Sequence, residues 1–189
     1  MNFFDFIVPI YEIILHFGTK KTLKTLNELI LLDKTDKVLD LGGGTGRISK
    51  FFVGRVKEII VLDSSQGMIK ECRKYPGLNC IKCSAEKIPF PDDYFNKIII
   101  VDAFHHFQHQ EAVCKEIKRI LKQGGILIIE EFNPETAIGK IIVLLEKLFK
   151  MNSNFYSSEE LNEFFAKYLS RIKIFNGAKT RYYLIAGKI

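Results

Sequence analysis

The sequence predicts a doubly wound α/β fold: a mainly parallel sheet of seven strands, the last of them antiparallel, with helices on both faces. Three observations carry this. Short β-branched runs recur at about 37 to 41, 58 to 62, 79 to 83, 97 to 102 and 125 to 131 with helical patterns between them, the alternation that parallel βαβ units require. A glycine-rich turn, Gly42-Gly43-Gly44-Thr45-Gly46, directly follows the first run and leads into a segment with helical character. Two further β-runs, near 171 to 176 and 181 to 187, are separated by Asn176-Gly177 and a few residues, a hairpin signal that makes the final strand antiparallel.

Each element has a local cause. The helix expected over about 109 to 122 buries Ala112, Val113, Ile117, Ile120 and Leu121 at helical spacing, with Gly124-Gly125 as its stop. Another helix is expected near 137 to 150, and Ser157-Ser158-Glu159-Glu160 reads as the capping box of a third. Two segments carry more apolar surface than one core stripe needs. The first runs from Phe3 to Phe17; the second runs from Ile138 to Phe149, where Gly139, Lys140, Glu146, Lys147 and Lys150 fill only a third of the wheel. The surplus suits a lid over an apolar substrate pocket, a dimer contact, a peripheral membrane contact, or packing of the two helices on each other.

Composition narrows the class. A chain of 189 residues with 47% hydrophobic and 12% aromatic residues fits one globular domain and argues against disorder. The apolar first seventeen residues are interrupted by Asp5 and Glu12 and lack a basic leader or small-residue cleavage site, so they read as an amphipathic helix rather than a targeting signal. The net charge of +6 comes mostly from dispersed Lys. Without Arg-rich or aromatic-interleaved clusters this is solvated surface, and nucleic acid is not an expected partner. Cys72, Cys80, Cys83 and Cys114 show no secreted disulfide spacing and point to a reducing, cytoplasmic setting. Cys80 and Cys83 form a CxxC, but residues three apart on a strand face opposite ways, so no metal site is expected.

The glycine turn is where ligand chemistry enters. Backbone without Cβ atoms adopts positive φ and lets a small molecule lie against it at the carboxyl end of a strand. The glycines at 42, 44 and 46 follow GxGxG, whereas the dinucleotide fingerprint GxGxxG would need glycine where Arg47 stands. Asp63 ends the second run, 23 residues beyond Asp40. A carboxylate there can accept both hydroxyls of a ribose, while Ser64 or Ser65 is left to cap the following helix. A third element is the stretch from Cys83 to Lys97, containing Ala85-Glu86-Lys87-Ile88-Pro89-Phe90-Pro91-Asp92.

In this order the glycine loop, the strand-end acid, the Ala85–Phe95 stretch, His105-His106-Phe107 and Glu116-Ile117-Lys118-Arg119-Ile120-Leu121-Lys122-Gln123-Gly124-Gly125 resemble the class I S-adenosylmethionine-dependent methyltransferases. The small-molecule branch containing the ubiquinone and menaquinone C-methyltransferases is the most similar, and the resemblance runs from about Tyr11 to Leu161. It implies a Rossmann-like fold divided into an N-terminal helical cap (1–33), a cofactor-binding core (34–134), a helical lid or insertion (135–170) and a terminal β-hairpin (171–189). It further implies that Asp40, Gly42, Gly43, Gly44 and Gly46 hold the methionine end of S-adenosylmethionine, with Asp40 near its ammonium. Asp63 would hold the ribose, Ser64 and Met68 would flank the adenine, Ser84, Ala85 and Glu86 would meet its edge, and Asp102 and Ala103 would line the methionine side. Many relatives carry Asp where this chain has Ser84 and Asn96; Ser accepts a hydrogen bond more weakly than a carboxylate, and Asn96 reads as structural, before the fourth strand.

The methyl sulfonium carries its own reactivity, so the protein need only align donor and acceptor and exclude water, with S-adenosylhomocysteine as product. A general base is required only when the acceptor must lose a proton. His105 and His106, just after the fourth strand, are the candidates for that role, with helix-start packing as the alternative; Tyr11, His16 and Glu131 are further pocket candidates, and His109 reads as solvated surface. The expected function is methyl transfer to a small apolar acceptor by a monomer or homodimer. Its rivals are an RNA or DNA methyltransferase and a non-catalytic cofactor-binding protein. Against the former, Asp102 is followed by Ala-Phe-His-His rather than Pro-Pro and an aromatic; against the latter, the glycine loop and Asp63 are intact.

Overall fold

The first strand, β1 (Lys37–Leu41), is apolar without alternation, and four of its five residues are buried, as expected of a strand covered on both faces. The computed structural model describes residues 19–149, 151, 153–177 and 180–189. They fall into two compact units, one ending at Ser84 and one running Ala85–Ile189. Their strands make up the seven-stranded, mainly parallel sheet that the sequence predicts, with β7 the antiparallel member.

In the first unit the strand order is β3-β2-β1. Parallel pairing sets Asp40 beside Val61 between β1 and β2 (Glu58–Asp63), and Val61 beside Cys80 between β2 and β3 (Asn79–Lys82). A helix, α1, occupies 19–29 of the described residues and buries Leu23 and Leu26. The segment after the glycine turn is not the full helix anticipated; only a 3-10 turn, Ser49–Phe52, forms there. It ends because β-branched Val53 goes extended and Gly54 turns at φ +74, a conformation that stops a right-handed helix. Helix α2 (Gln66–Cys72) is capped by Ser65, whose hydroxyl accepts from the Met68 N–H at 3.2 Å.

Cysteine chemistry also departs from the sequence reading. Cys72, the last residue of α2, is joined to Cys80 of β3 in a disulfide, with Cα atoms 6.1 Å apart. The spacing gave no sign of it, because the helix must fold back onto the next strand before the two thiols meet. Val61, Ile69 and Leu78 pack around the pair, and among the described cysteines Cys83 and Cys114 form no disulfide.

The second unit has the order β4-β5-β7-β6. Strand β4 (Phe95–Val101) runs parallel to β5 (Leu121–Phe132), and β7 (Arg181–Gly187) pairs antiparallel with both β5 and β6 (Ser170–Asn176). The Gly177 N–H donates to Arg181 O at 2.9 Å, closing the anticipated hairpin. Asn96 lies inside β4 rather than before it, accepting from Lys122 Nζ at 3.4 Å. Helix α3 (Gln110–Ile120) buries Val113, Ile117 and Ile120 as read from its spacing, but Cys114 takes the buried place given to Ala112. The helix stops at Ile120, not at Gly124-Gly125, because Leu121 is already extended in β5; the two glycines instead sit in the irregular stretch where the β4–β5 register shifts.

Helix α4 (Ala137–Leu148) starts from a Thr136 cap, and α5 (Ser158–Ala166) from the predicted capping box: Ser157 Oγ accepts from Glu160 N–H at 3.2 Å and Glu160 Oε2 accepts from Ser157 N–H at 2.8 Å. The surplus apolar surface anticipated on α4 is real. Leu144 is 67% and Leu148 73% exposed, and Gly139 is its one buried residue. The matching segment from Phe3 to Phe17 lies outside the described residues. No helix of the described residues is long and apolar enough to cross a membrane.

The disulfide closes a short loop, with a sequence separation of 8, which by the chain-entropy relation is worth about 2–3 kcal/mol. Chemical denaturation with and without a thiol reductant should therefore differ by about that amount, and a Cys72→Ser, Cys80→Ser double variant should be indifferent to the reductant.

Candidate functional site

The glycine turn of the first unit is built over a buried acid. Asp40 near the end of β1 is 1% exposed, and its Oδ2 accepts from Ser49 Oγ at 2.6 Å while Oδ1 is buried without a hydrogen-bond partner. Burial pushes this carboxyl up to about 6; the Ser49 hydroxyl and Arg47 oppose the rise and the charge of Asp63 adds to it. Gly43 lies against the same carboxyl: a Cβ there would stand 2.5 Å from Asp40 Cγ. The turn itself is tied to β2, with Gly42 and Gly43 N–H donating to Leu62 O at 2.7 and 3.3 Å. Gly44 and Gly46 adopt φ of +56 and +74, and a Cβ on Gly46 would strike Leu78 at 2.6 Å. These positions require glycine for conformation and for space.

Asp63 closes β2 and stitches the turn to α2. Its Oδ2 accepts from Gly44 N–H at 3.0 Å and its Oδ1 from Ser65 N–H at 2.8 Å. Ser64 is exposed, Met68 is buried with its sulfur 3.6 Å from a Cβ built on Gly44, and Ser84 is exposed after β3. The structure thus gathers Asp40, Gly42, Gly43, Gly44, Gly46, Asp63 and Met68 around one strand-end turn. Ser49, the hydroxyl that holds Asp40, was not anticipated, since it stands nine residues downstream with no local motif to mark it.

In the second unit Ala85 is buried and Glu86 half-buried. The loop that they begin is clamped from α3: Glu116 Oε2 accepts from Ile88 N–H at 2.7 Å, and Arg119 donates to Ile88 O at 2.9 Å and to Phe90 O at 2.7 Å. These bonds tie the Ala85–Asp92 and Glu116–Gly125 motifs to each other. The Glu116 carboxyl is held below its usual range by the Arg119 hydrogen bond. Asp102, directly after β4, takes φ +52, a region that Asp tolerates better than most residues. Its carboxylate is paired with Arg181 at 2.5 Å, the same guanidinium that binds Glu130 at 2.8 Å and lies 4.0 Å from the Phe132 ring centroid. Arg181 is a second residue the sequence reading missed; it is brought there by the β5–β7 pairing that sets it opposite Phe132, which no local signal marks. Ala103, also buried, precedes the histidine turn.

That turn is a 3-10 segment, Phe104–His106. Glu131, buried in β5, organises it: Oε1 accepts from Phe104 N–H at 2.8 Å and from His105 N–H at 3.4 Å, and Oε2 lies 2.5 Å from His105 Nδ1. His105 is 3% exposed and stacks on Phe155 with ring centroids 4.4 Å apart. Burial alone would lower its pKa, but the carboxylates of Glu131 and Glu146 outweigh this and push it up to about 10. His106 behaves oppositely: burial and the neighbouring His105 charge push it down to about 3, against the pull of Glu146. Glu146, assigned to the polar face of α4 by the wheel, turns inward, 3.7 Å from His105 Nε2 and 3.9 Å from His106 Nδ1. His109 is exposed at the start of α3. Tyr11 and His16 lie outside the described residues.

Comparison with known proteins agrees with this architecture. Residues 39–129 match the methyltransferase domain family. A ubiquinone/menaquinone biosynthesis C-methyltransferase of Neisseria meningitidis is 37% identical over 110 residues, covering 54% of this chain and 45% of that protein. Its counterpart in Paraburkholderia xenovorans is 34% identical over 139 residues, 69% of this chain and 54% of that one. The chain spans about half the length of the relatives it matches. A solved S-adenosylmethionine-dependent methyltransferase from Thermotoga maritima superposes with a TM-score of 0.86 at 25% identity, covering 98% of both chains. In sequence and in fold the chain is similar to the class I S-adenosylmethionine-dependent methyltransferases, and its sequence resembles the ubiquinone/menaquinone C-methyltransferases.

Proposed function

We propose that this chain transfers the methyl group of S-adenosylmethionine to a small, apolar acceptor. The observation that carries the donor assignment is the Asp40 carboxyl, buried with one unpartnered oxygen under a turn where Gly43 leaves no room for a Cβ against it. An orphaned acid oxygen beneath bare backbone fits a compact cation, such as the ammonium of the cofactor's methionine end. Asp63 supplies acceptor positions for the ribose hydroxyls, and Met68 and Ser64 the apolar and polar flanks of an adenine.

When bound, the cofactor supplies an activated methyl group. The residues of the chain then hold it and keep water away. We assign His105 and His106 to the acceptor side of the reaction, since they follow β4 as part of an aromatic cluster: Phe104, Phe155, Tyr156, Phe164 and Phe165. A histidine turn packed among aromatic rings suits an apolar acceptor better than a polyanion.

Two measurements test the donor site. Asp63→Ala should weaken S-adenosylhomocysteine binding in calorimetry about tenfold to a hundredfold, the loss of one or two hydrogen bonds to a charged group; unchanged affinity would remove the ribose assignment. The Asp40 carboxyl gives the second. Its folded pKa of about 6 lies above the ordinary aspartate value, so below pH 6 the site is neutral and an ammonium finds no countercharge. Affinity should therefore rise with pH through that value, being about tenfold weaker at pH 5 than at pH 7.5. Stability of the unliganded protein runs the other way. Between the unfolded and folded pKa values the native state binds the extra proton, so stabilisation from this group is full below about pH 4 and lost as pH passes 6, a swing of about 3 kcal/mol. Asp40→Asn should flatten both profiles. For the acceptor, methyl-labelled S-adenosylmethionine incubated with fractionated cell extract should label small, solvent-extractable molecules; label confined to protein or RNA would overturn the reading.

A further inference from the structure

We propose that His105, His106 and Glu146 form a binding site for one divalent transition-metal ion of the zinc type. One ligand atom from each of the three lies within 4.8 Å of the others. Glu146 Oε1 is 3.7 Å from His105 Nε2, and Glu146 Oε2 is 3.9 Å from His106 Nδ1. Tetrahedral zinc holds imidazole nitrogen and carboxylate oxygen at about 2.0–2.2 Å, which sets neighbouring ligand atoms about 3.4 Å apart. The two carboxylate–imidazole separations exceed this by a few tenths of an ångström and the widest pair by no more than about 1.4 Å, a gap left for rotation of the Glu146 and His106 side chains to close.

Three further features fit an ion. His105 Nδ1 is held 2.5 Å from the buried Glu131 carboxylate, which leaves Nε2 directed at Glu146. A carboxylate behind the non-ligating nitrogen is the arrangement that orients metal-binding histidines and raises their donor strength. Glu146 Oε2 is buried and has no hydrogen-bond partner, a costly state for a carboxylate oxygen that a cation would relieve. Finally, the donor set is two imidazoles and one carboxylate, which suits zinc, iron or manganese better than magnesium. Three protein ligands leave a coordination position open, as in sites that also bind a small oxygen ligand. Ser153 Oγ, 3.0 Å from His106 Nδ1, is the contact the ion displaces. The local sequence offered no metal signature because Glu146 stands 40 residues beyond His106, on a helix where it reads as solvent-facing.

The proposal stands apart from the donor-site reading, and its test uses no S-adenosylmethionine. The full chain, stripped with chelator, is titrated with zinc chloride by calorimetry at neutral pH, with magnesium chloride as comparison. One zinc ion per chain at micromolar affinity or better is expected, with no magnesium binding. His106→Ala and Glu146→Gln should each weaken zinc binding at least tenfold, and Glu131→Gln about tenfold to a hundredfold through His105. Zinc should raise the thermal midpoint of the wild type and not that of Glu146→Gln. Because His105→Ala risks unfolding a buried turn, the Co2+-loaded protein supplies a second readout: its visible absorption should change in Glu146→Gln and be untouched by Cys83→Ser. Absence of stoichiometric zinc binding, or zinc binding equally strong in His106→Ala and Glu146→Gln, overturns the proposal and leaves the cluster as hydrogen-bonded ion pairs alone.

Discussion

The first unit is organised by a carboxylate that burial disfavours and the fold nevertheless retains. Asp40 sits between Leu39 and Leu41 near the end of its strand, and its burial raises the cost of its charge. Ser49 offsets part of that cost through one oxygen; the other is left without a partner. Around this acid the local backbone has little choice. Gly43 must lack a side chain because the carboxyl occupies the space, and Gly42 and Gly43 lean on the Leu62 carbonyl instead. Asp63 then fastens Gly44. A protein selected for stability alone would place a leucine here, so retention of the acid favours a ligand carrying the opposite charge.

The second unit repeats the device with another acid. Glu131 is buried in β5 and spends both oxygens on the turn that follows β4, two backbone amides and one imidazole nitrogen. A 3-10 turn of three residues cannot hold its own conformation, so the orientation of His105 is set from outside it. Further bonds close over the turn: Asn154 N–H donates to His105 O, and Gln110 Nε2 to Phe104 O. Tyr156 in turn donates to Gln110 Oε1. Strand-end geometry is thus fixed by acids rather than by the turns themselves: Asp40 of the same strand and Asp63 of its neighbour in the first unit, Glu131 of the neighbouring strand in the second.

This division explains what the sequence disclosed. Strands β1 to β7 were legible because apolar runs and turn residues are local signals, and the Ser157 capping box and Asn176-Gly177 turn were read for the same reason. Asp40, Asp63 and the glycines were legible as a motif. The partners that make these residues work were not. Ser49, Arg181, Glu146 and the Cys72–Cys80 bridge depend on where one element lands on another, and nothing in their immediate neighbourhood marks them. The 3-10 turn after the glycine loop failed for a related reason: a helical pattern was present, but Val53-Gly54 interrupted it before an α-helix could be nucleated.

Helix α4 is the place where local and tertiary forces conflict most openly. Its composition asks for burial of an apolar arc, yet Ile138, Ile141, Leu144, Leu145, Leu148 and Phe149 are exposed while Glu146 turns toward the histidines. The hydrophobic effect over the described residues therefore does not explain the orientation of this helix. What does bind it to its unit is polar and steric. The Thr136 hydroxyl caps its first turn and bonds Asn133 O, and Gly139 is pressed against the same carbonyl so that no side chain fits. Glu146, two turns on, is drawn in by His105 and His106. A helix held at its start by a cap and at its far end by one carboxylate is oriented by the charge it meets rather than by its apolar arc.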